Sequence, residues 1–111
     1  MKTKVLTPEL SSSAQLEVGD LLAVREAGFQ SVLCARPDNE ALGQPSFASI
    51  AEEAKKVGLQ AQYVPISKAG ASEGDLLAFK AAYAALSKPV LGYCASGRRI
   101  DSAAATLTQG D

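Results

Sequence analysis

The chain has 111 residues, 47% of them apolar, and a formal net charge of −1, enough for a single domain over residues 1–111 with its own core and no need of disulfide or metal staples. The balanced charge offers no basic field to nucleic acid and no polybasic patch to a membrane, and no apolar run approaches a spanning helix. Two cysteines are too few for a disulfide framework, and with no histidine the chain lacks the usual zinc spacings and any Cys/His or Ser/His pair, so no metal is expected.

The first residues carry Lys2 and Lys4, but Ser11, Ser12 and Ser13 interrupt the apolar stretch that a signal peptide needs, so a cytoplasmic protein is expected. Asp20 is placed to cap a short helix, Leu21 to Glu26, stopped by Gly28, and 29–35 then reads as an apolar strand. The turn Arg36-Pro37-Asp38-Asn39 ends it, 39–44 is a polar loop, and Ser46 after Pro45 is an N-cap for the next helix. There Phe47, Ile50, Ala51, Ala54 and Val57 recur at helical spacing, with Gly58 at the C-terminal stop. A second strand over 59–66 leads through the small-residue loop 67–74 to an amphipathic helix marked by Leu76, Phe79, Tyr83 and Leu86. Residues 89–93 form a third strand, and 97–107 a final helix with Ile100, Ala103, Ala104 and Leu107 on one side.

Strands alternating with helices imply an α/β fold, a central and mainly parallel sheet flanked by helices. Ligands of such sheets collect at the carboxyl ends of the strands, where Cys94 and, on another strand, Cys34 with the Arg36-Pro37-Asp38 turn are found. The stretch Cys94-Ala95-Ser96-Gly97-Arg98-Arg99 then turns from a strand into a helix, a geometry that gathers backbone N–H groups and the helix dipole around an anion. A thiol in that cradle would have its thiolate stabilised by the same donors and by Arg98 or Arg99, and Arg99 could grip two oxygens of a tetrahedral anion. The bland alternative is a buried core cysteine beside two solvated arginines. Arginines at a helix N-terminus oppose the dipole, however, which favours an anionic ligand there.

The loop resembles the Cys-x-x-Gly-x-Arg active loop of rhodanese-like sulfurtransferases. Leu6-Thr7, Ala27-Gly28-Phe29, Arg36-Pro37-Asp38, Gln44-Pro45-Ser46, Gly58-Leu59, Tyr63-Val64-Pro65-Ile66 and Pro89-Val90-Leu91 together resemble, in order, the bacterial β-lactamase-hydrolase-like family, also called the phosphatase-like domain of unknown function. The resemblance implies the fold of the dual-specificity protein-tyrosine phosphatases, and an activity of either hydrolase or sulfurtransferase kind. The chain departs from the family pattern at Tyr93 (usually His), Ala95 (usually Arg), Arg98 (commonly Thr), Ile100-Asp101 (usually Ser-Ala) and Cys34 (usually Asn).

Cysteine phosphatases place five residues between cysteine and arginine, whereas Arg99 leaves four, and no Asp or Glu lies between Glu53 and Glu73 to serve as general acid. Asp38, Glu73 and Asp75 are the remaining candidates. Sulfur transfer asks for no protein acid, since a Cys94 persulfide forms and is passed on, so a thiosulfate or glutathione-persulfide sulfurtransferase is the preferred expectation, with phosphate-monoester hydrolysis through a phosphocysteine as the alternative. A non-catalytic anion-binding or redox-sensing module is a third class, in which Cys34 pairs with Cys94; a buried strand position for Cys34 is the simpler reading. The expected site is therefore Cys94 and Arg99 as catalytic residues, Ala95, Ser96, Gly97 and Arg98 as the anion-binding loop, and Asp38, Arg36 and Cys34 as accessories. Asp38 is equally readable as a turn residue, Arg36 as solvated surface, Ser96 as a cap, and Tyr93 as packing or as part of a pocket wall. The expected partner is a small anionic molecule (thiosulfate, a persulfide or a phosphate ester), with no organic cofactor, because no glycine-rich dinucleotide motif is present.

Overall fold

The computed structural model describes residues 2–108. Five strands form one sheet in the order β1-β2-β5-β3-β4: β1 (Thr3–Thr7), β2 (Leu10–Ser13), β3 (Ser31–Cys34), β4 (Gln60–Tyr63) and β5 (Val90–Tyr93). β5 lies at the centre, parallel to β2 on one side and β3 on the other, and β4 extends β3 in parallel. Only β1 runs antiparallel, as a hairpin with β2. Helices α1 (Leu21–Glu26) and α2 (Phe47–Lys56) cover one face, burying Leu21, Val24, Ile50 and Ala54 against Val32, Leu91 and Tyr93. Helices α3 (Glu73–Ala85) and α4 (Arg98–Ala105) cover the other, where Phe79, Ile100 and Ala103 meet Leu33 and Val90. The mainly parallel sheet between helical layers agrees with the expectation from the sequence.

The N-terminal hairpin is the element that the hydropathy pattern did not announce. β1 is largely exposed at the sheet edge, and β2 buries Leu10 followed by three serines at 3–6% exposure, so neither strand shows an apolar alternation. β2 is held instead by its backbone, in register from Leu10 opposite Val90 to Ser13 opposite Tyr93. The other strands are shorter than their apolar runs, because residues such as Ala35, Leu59, Val64 and Ile66 are buried beyond the ends of the ladders.

Local caps explain most of the helix boundaries. Ser46 Oγ accepts the Ser49 N–H at 3.1 Å to start α2, and Gly58, at φ +85°, ends it. α3 begins three residues before its first apolar marker, because Ser72 and Asp75 cap each other's backbone N–H groups at 3.0 and 2.9 Å, a capping box. Asp20 does not cap α1 as expected. Its carboxylate accepts the Glu17 N–H at 2.8 Å within the 3₁₀ turn Val18–Asp20 that leads into the helix.

Gly92 sets the distance between α4 and β5. A Cβ there would lie 2.8 Å from Ile100 Cγ2 and 2.9 Å from Cδ1, closer than carbon atoms can pack, and Ile100 is fully buried. Gly92→Ala is expected to cost about 1–3 kcal/mol by overpacking, read as a lower urea midpoint with an unchanged slope. Adding Ile100→Val should recover part of the loss, and full additivity of the two substitutions would rule out this contact as the cause.

Candidate active site

The site is the turn that carries the chain from β5 into α4. Cys94 follows the last residue of β5, its N–H donating to Ser13 O of β2 at 3.4 Å, and its thiol accepts the Gly97 N–H at 3.0 Å. Gly97 is the N-cap of α4 with φ +94°, a conformation that strains any side chain. A Cβ at Gly97 would also stand 3.4 Å from Ser13 O and 3.7 Å from Ser12 Oγ, so the loop lies close against the end of β2. Among the described residues, the N–H groups of Ala95, Ser96 and Arg99 have no hydrogen-bond acceptor, leaving three donors on the loop that surrounds the sulfur. Strand, glycine turn and helix start thus gather backbone donors at one point, an arrangement able to receive an anion.

Arg99 does not present an empty fork. Its guanidinium pairs with Glu40 through Nη1–Oε2 at 2.7 Å and Nη2–Oε1 at 2.8 Å, and Nη1 also donates to Ile66 O at 2.8 Å. Arg36 Nε reaches the same Glu40 Oε1 at 3.0 Å, and its Nη1 donates to Gln15 Oε1 at 3.1 Å. Two arginines thus share one carboxylate, with side chains only 13% and 17% exposed. The Arg99 hydrogen bonds, followed by those of Arg36, hold the Glu40 carboxyl down at about 2, against the opposing pull of burial. Glu40 in turn raises the Arg99 value, and proximity to Cys94 acts in the same direction. The bidentate grip foreseen for a substrate anion is taken by this internal carboxylate, because a guanidinium withdrawn from water needs a fixed counter-charge.

Glu40 was hidden in what read as a polar loop. That loop is closed by Gln44, whose Oε1 accepts the Glu40 N–H at 3.1 Å and the Ala41 N–H at 3.3 Å while Nε2 donates to Pro37 O at 3.0 Å. Charge pattern alone does not single out Glu40 from the other acidic residues; only the fold brings it opposite Arg36 and Arg99.

The accessory residues divide. Arg36 belongs to the site through Glu40. Asp38 is engaged at the start of α2: its Oδ1 accepts the Phe47 N–H at 2.8 Å, and its own N–H donates to Tyr63 Oη at 3.0 Å. Glu73 and Asp75 stand at the N-terminus of α3, where Asp75 is engaged in the capping box. Ser96 is exposed, with its Oγ 3.5 Å from the Arg98 N–H, the capping role. Cys34 is buried among the α1 and α2 contacts, while Cys94 packs in the cluster on the opposite face, and both thiols are free, so the cysteine pair of the redox-sensing reading is not formed. Burial pushes the Cys34 thiol up. Tyr93 packs beside Cys34 rather than lining the pocket; its hydroxyl has no hydrogen bond of acceptable geometry, and burial raises its value strongly. Asp101, at the family's alanine position, accepts from Ser12 Oγ at 2.7 Å and pairs with Lys4 at 3.4 Å.

A mainly parallel sheet between helices, with a cysteine on the strand-to-helix turn at its centre and an arginine in the following helix, defines the cysteine-based, protein-tyrosine-phosphatase-like class. Within that class the chain belongs to the β-lactamase hydrolase-like protein family, phosphatase-like domain, whose sequence profile matches residues 2–110. Curated relatives include the β-lactamase hydrolase-like proteins of Agrobacterium fabrum and Xylella fastidiosa strain Temecula1, each 30% identical over 99 residues, or 89% of this chain. The match spans 23% of those relatives' length. Among solved structures, a provisionally assigned phosphatase from Neisseria meningitidis superposes with a TM-score of 0.84 at 26% identity, covering 96% of this chain and 79% of its own. Tk-PTP in its active form shares the fold at a TM-score of 0.66 and 22% identity, over 86% of this chain and 63% of its own. The preferred expectation of sulfur transfer finds no counterpart here: the curated relatives are β-lactamase hydrolase-like proteins, and the family and the solved structures are of phosphatase kind.

Glu40 supplies a measurable acid limb. Its folded value of about 2 lies below the ordinary 4.5, so its contribution to stability is fully present above about 4.5 and is lost as pH falls towards 2. Glu40→Gln is expected to lower stability at pH 7 by about 2–3 kcal/mol, with the gap to the unsubstituted protein narrowing steadily between pH 5 and pH 2 in urea titrations. A gap that stays constant over that range would show that the carboxylate is not held as described.

Proposed function

We propose that this domain is a cysteine-dependent phosphatase acting on a small phosphorylated molecule whose leaving group departs without help from a protein acid. The observation that carries the reading is the Gly97 N–H directed at the Cys94 sulfur at 3.0 Å, in a loop where the amides of Ala95, Ser96 and Arg99 are unpaired among the described residues and whose arginine stands beside the thiol. Cys94, as thiolate, attacks phosphorus; the P–O bond to the leaving group breaks, and the leaving oxygen departs with the bonding pair. Water then attacks the phosphocysteine, the P–S bond breaks, and phosphate is released with the thiolate restored. The amides of Ala95, Ser96 and Arg99 receive the equatorial oxygens, and Arg98 adds positive charge at the rim. Arg99 holds the loop against Glu40 and turns its remaining surface to the reacting group.

Among the described residues, Glu40, Asp38 and Asp101 are not free to protonate a leaving oxygen. Glu40 stays ionised down to about 2, and Asp38 and Asp101 are committed to structural hydrogen bonds. A positioned acid contributes roughly 10²–10⁴-fold, so alkyl phosphates, which need one, are disfavoured against aryl phosphates or phosphoanhydrides. A second reading, sulfur transfer through a Cys94 persulfide, is favoured by the four residues between Cys94 and Arg99 and by the same shortage of acid.

One series of assays separates the two. Across aryl phosphates of falling leaving-group pKa, kcat/KM is expected to rise steeply, and Cys94→Ser should remove at least about a thousandfold of the activity. Intact mass after thiosulfate or glutathione persulfide should show no stable added sulfur. A Cys94-dependent gain of one sulfur, discharged by cyanide, with no hydrolysis of any phosphate, would overturn the phosphatase reading in favour of sulfur transfer.

A further inference from the structure

Beside the cysteine loop, between the β4–α3 connection and the first turn of α4, lies a cavity of about 170 Å³ lined by Ile66, Lys68, Arg98, Arg99 and Ser102. We propose that this cavity is a second anion subsite, holding an additional phosphoryl or carboxylate group of the same small molecule whose reacting group sits at Cys94. Three cations and no acidic residue line it. Glu40 neutralises Arg99, but the side chains of Lys68 and Arg98 have neither ion pair nor hydrogen bond among the described residues, and both are exposed. The cavity therefore carries two uncompensated positive charges.

Nothing in the fold requires that arrangement. Arg98 and Arg99 occupy the first turn of α4, where each positive charge opposes the helix dipole by about 0.3–1 kcal/mol. Arg99 is repaid by Glu40; Arg98 has no such partner, and an incoming anion would supply it. The opposite wall is built from Lys68, Gly70 and Ala71, where the small residues beside Lys68 leave room for a ligand. A volume of 170 Å³ exceeds several times the share of one water, about 30 Å³, so a phosphoryl or carboxylate group fits. Arg99 lines the cavity and also stands beside Cys94, which makes the two sites neighbours across one side chain. A ligand with two anionic groups would bridge them and gain from effective concentration. The identity of the group at Cys94 rests on the phosphatase reading; the subsite itself rests on the two unpaired cations.

The test uses the full chain as Cys94→Ser, so that binding is read without turnover. Calorimetric titrations at low ionic strength, where screening is weak, compare propyl phosphate with a series of α,ω-alkane bisphosphates of three to six carbons. At least one bisphosphate is expected to bind about tenfold or more tightly than the monophosphate. Lys68→Ser, in an exposed connection where folding is checked by circular dichroism, should reduce that advantage to about twofold or less. Equal affinity for every bisphosphate and the monophosphate would overturn the proposal, as would an advantage that survives both Lys68→Ser and Arg98→Ser. Aryl phosphate hydrolysis by the unsubstituted chain reports on the other reading: hydrolysis without bisphosphate preference sinks the subsite alone, and a Lys68-dependent preference without hydrolysis sinks the phosphatase alone.

Discussion

The contact between Gly92 and Ile100 is the constraint on which the site depends. With no side chain at Gly92, the buried Ile100 rests directly on the backbone of β5, so the first turn of α4 cannot move away from the strand that precedes it. Only four residues, from Cys94 to Gly97, then connect β5 to α4, and so short a connection closes only if one of them takes a left-handed conformation. Gly97 does so. Its N–H consequently faces back to the sulfur of Cys94, and Arg99 enters the helix with its amide unpaired among the described residues. Strand position, helix distance and turn geometry are thus three expressions of one packing requirement.

Electrostatics fixes the other half of the site. Glu40 joins the connection after β3, the connection after β4 through Ile66 O, and α4 through Arg99, with Arg36 and Gln15 completing the cluster. These segments are far apart in the chain, and no apolar contact is needed to hold them together. A charge pair of this kind is costly to desolvate but more costly to break, which suits a rigid frame better than a ligand-binding surface. The arginine of the sequence motif is therefore held as a clamp by Glu40. Glu40, Asp38 and Asp101 are each engaged in the same way by partners within the fold.

Much of the fold was legible because it rests on local periodicity. α2, with its Ser46 cap and Gly58 stop, and the buried strands β3 and β5 each carry a hydrophobic pattern matched to their structure. The N-terminal hairpin carried none, since Ser11, Ser12 and Ser13 are buried as backbone partners of β5 rather than as apolar side chains. Asp20 shows the limit of cap rules: a carboxylate next to a helix served the preceding turn instead, accepting the Glu17 N–H at 2.8 Å.

The sequence by itself determined the alternation of strands and helices, the place of Cys94 at the carboxyl end of a strand, and the glycine that lets the loop turn into α4, because each depends on neighbours within a few residues. Tertiary structure alone decided that Glu40 fills the fork of Arg99, that Cys34 and Cys94 face opposite layers, that Asp38 holds the start of α2, and that Lys68 comes to stand beside Arg98. Those outcomes depend on which segments the parallel sheet brings to one edge, and a charge far away in the chain, as Glu40 is from Arg99, leaves no periodic signal of its partner.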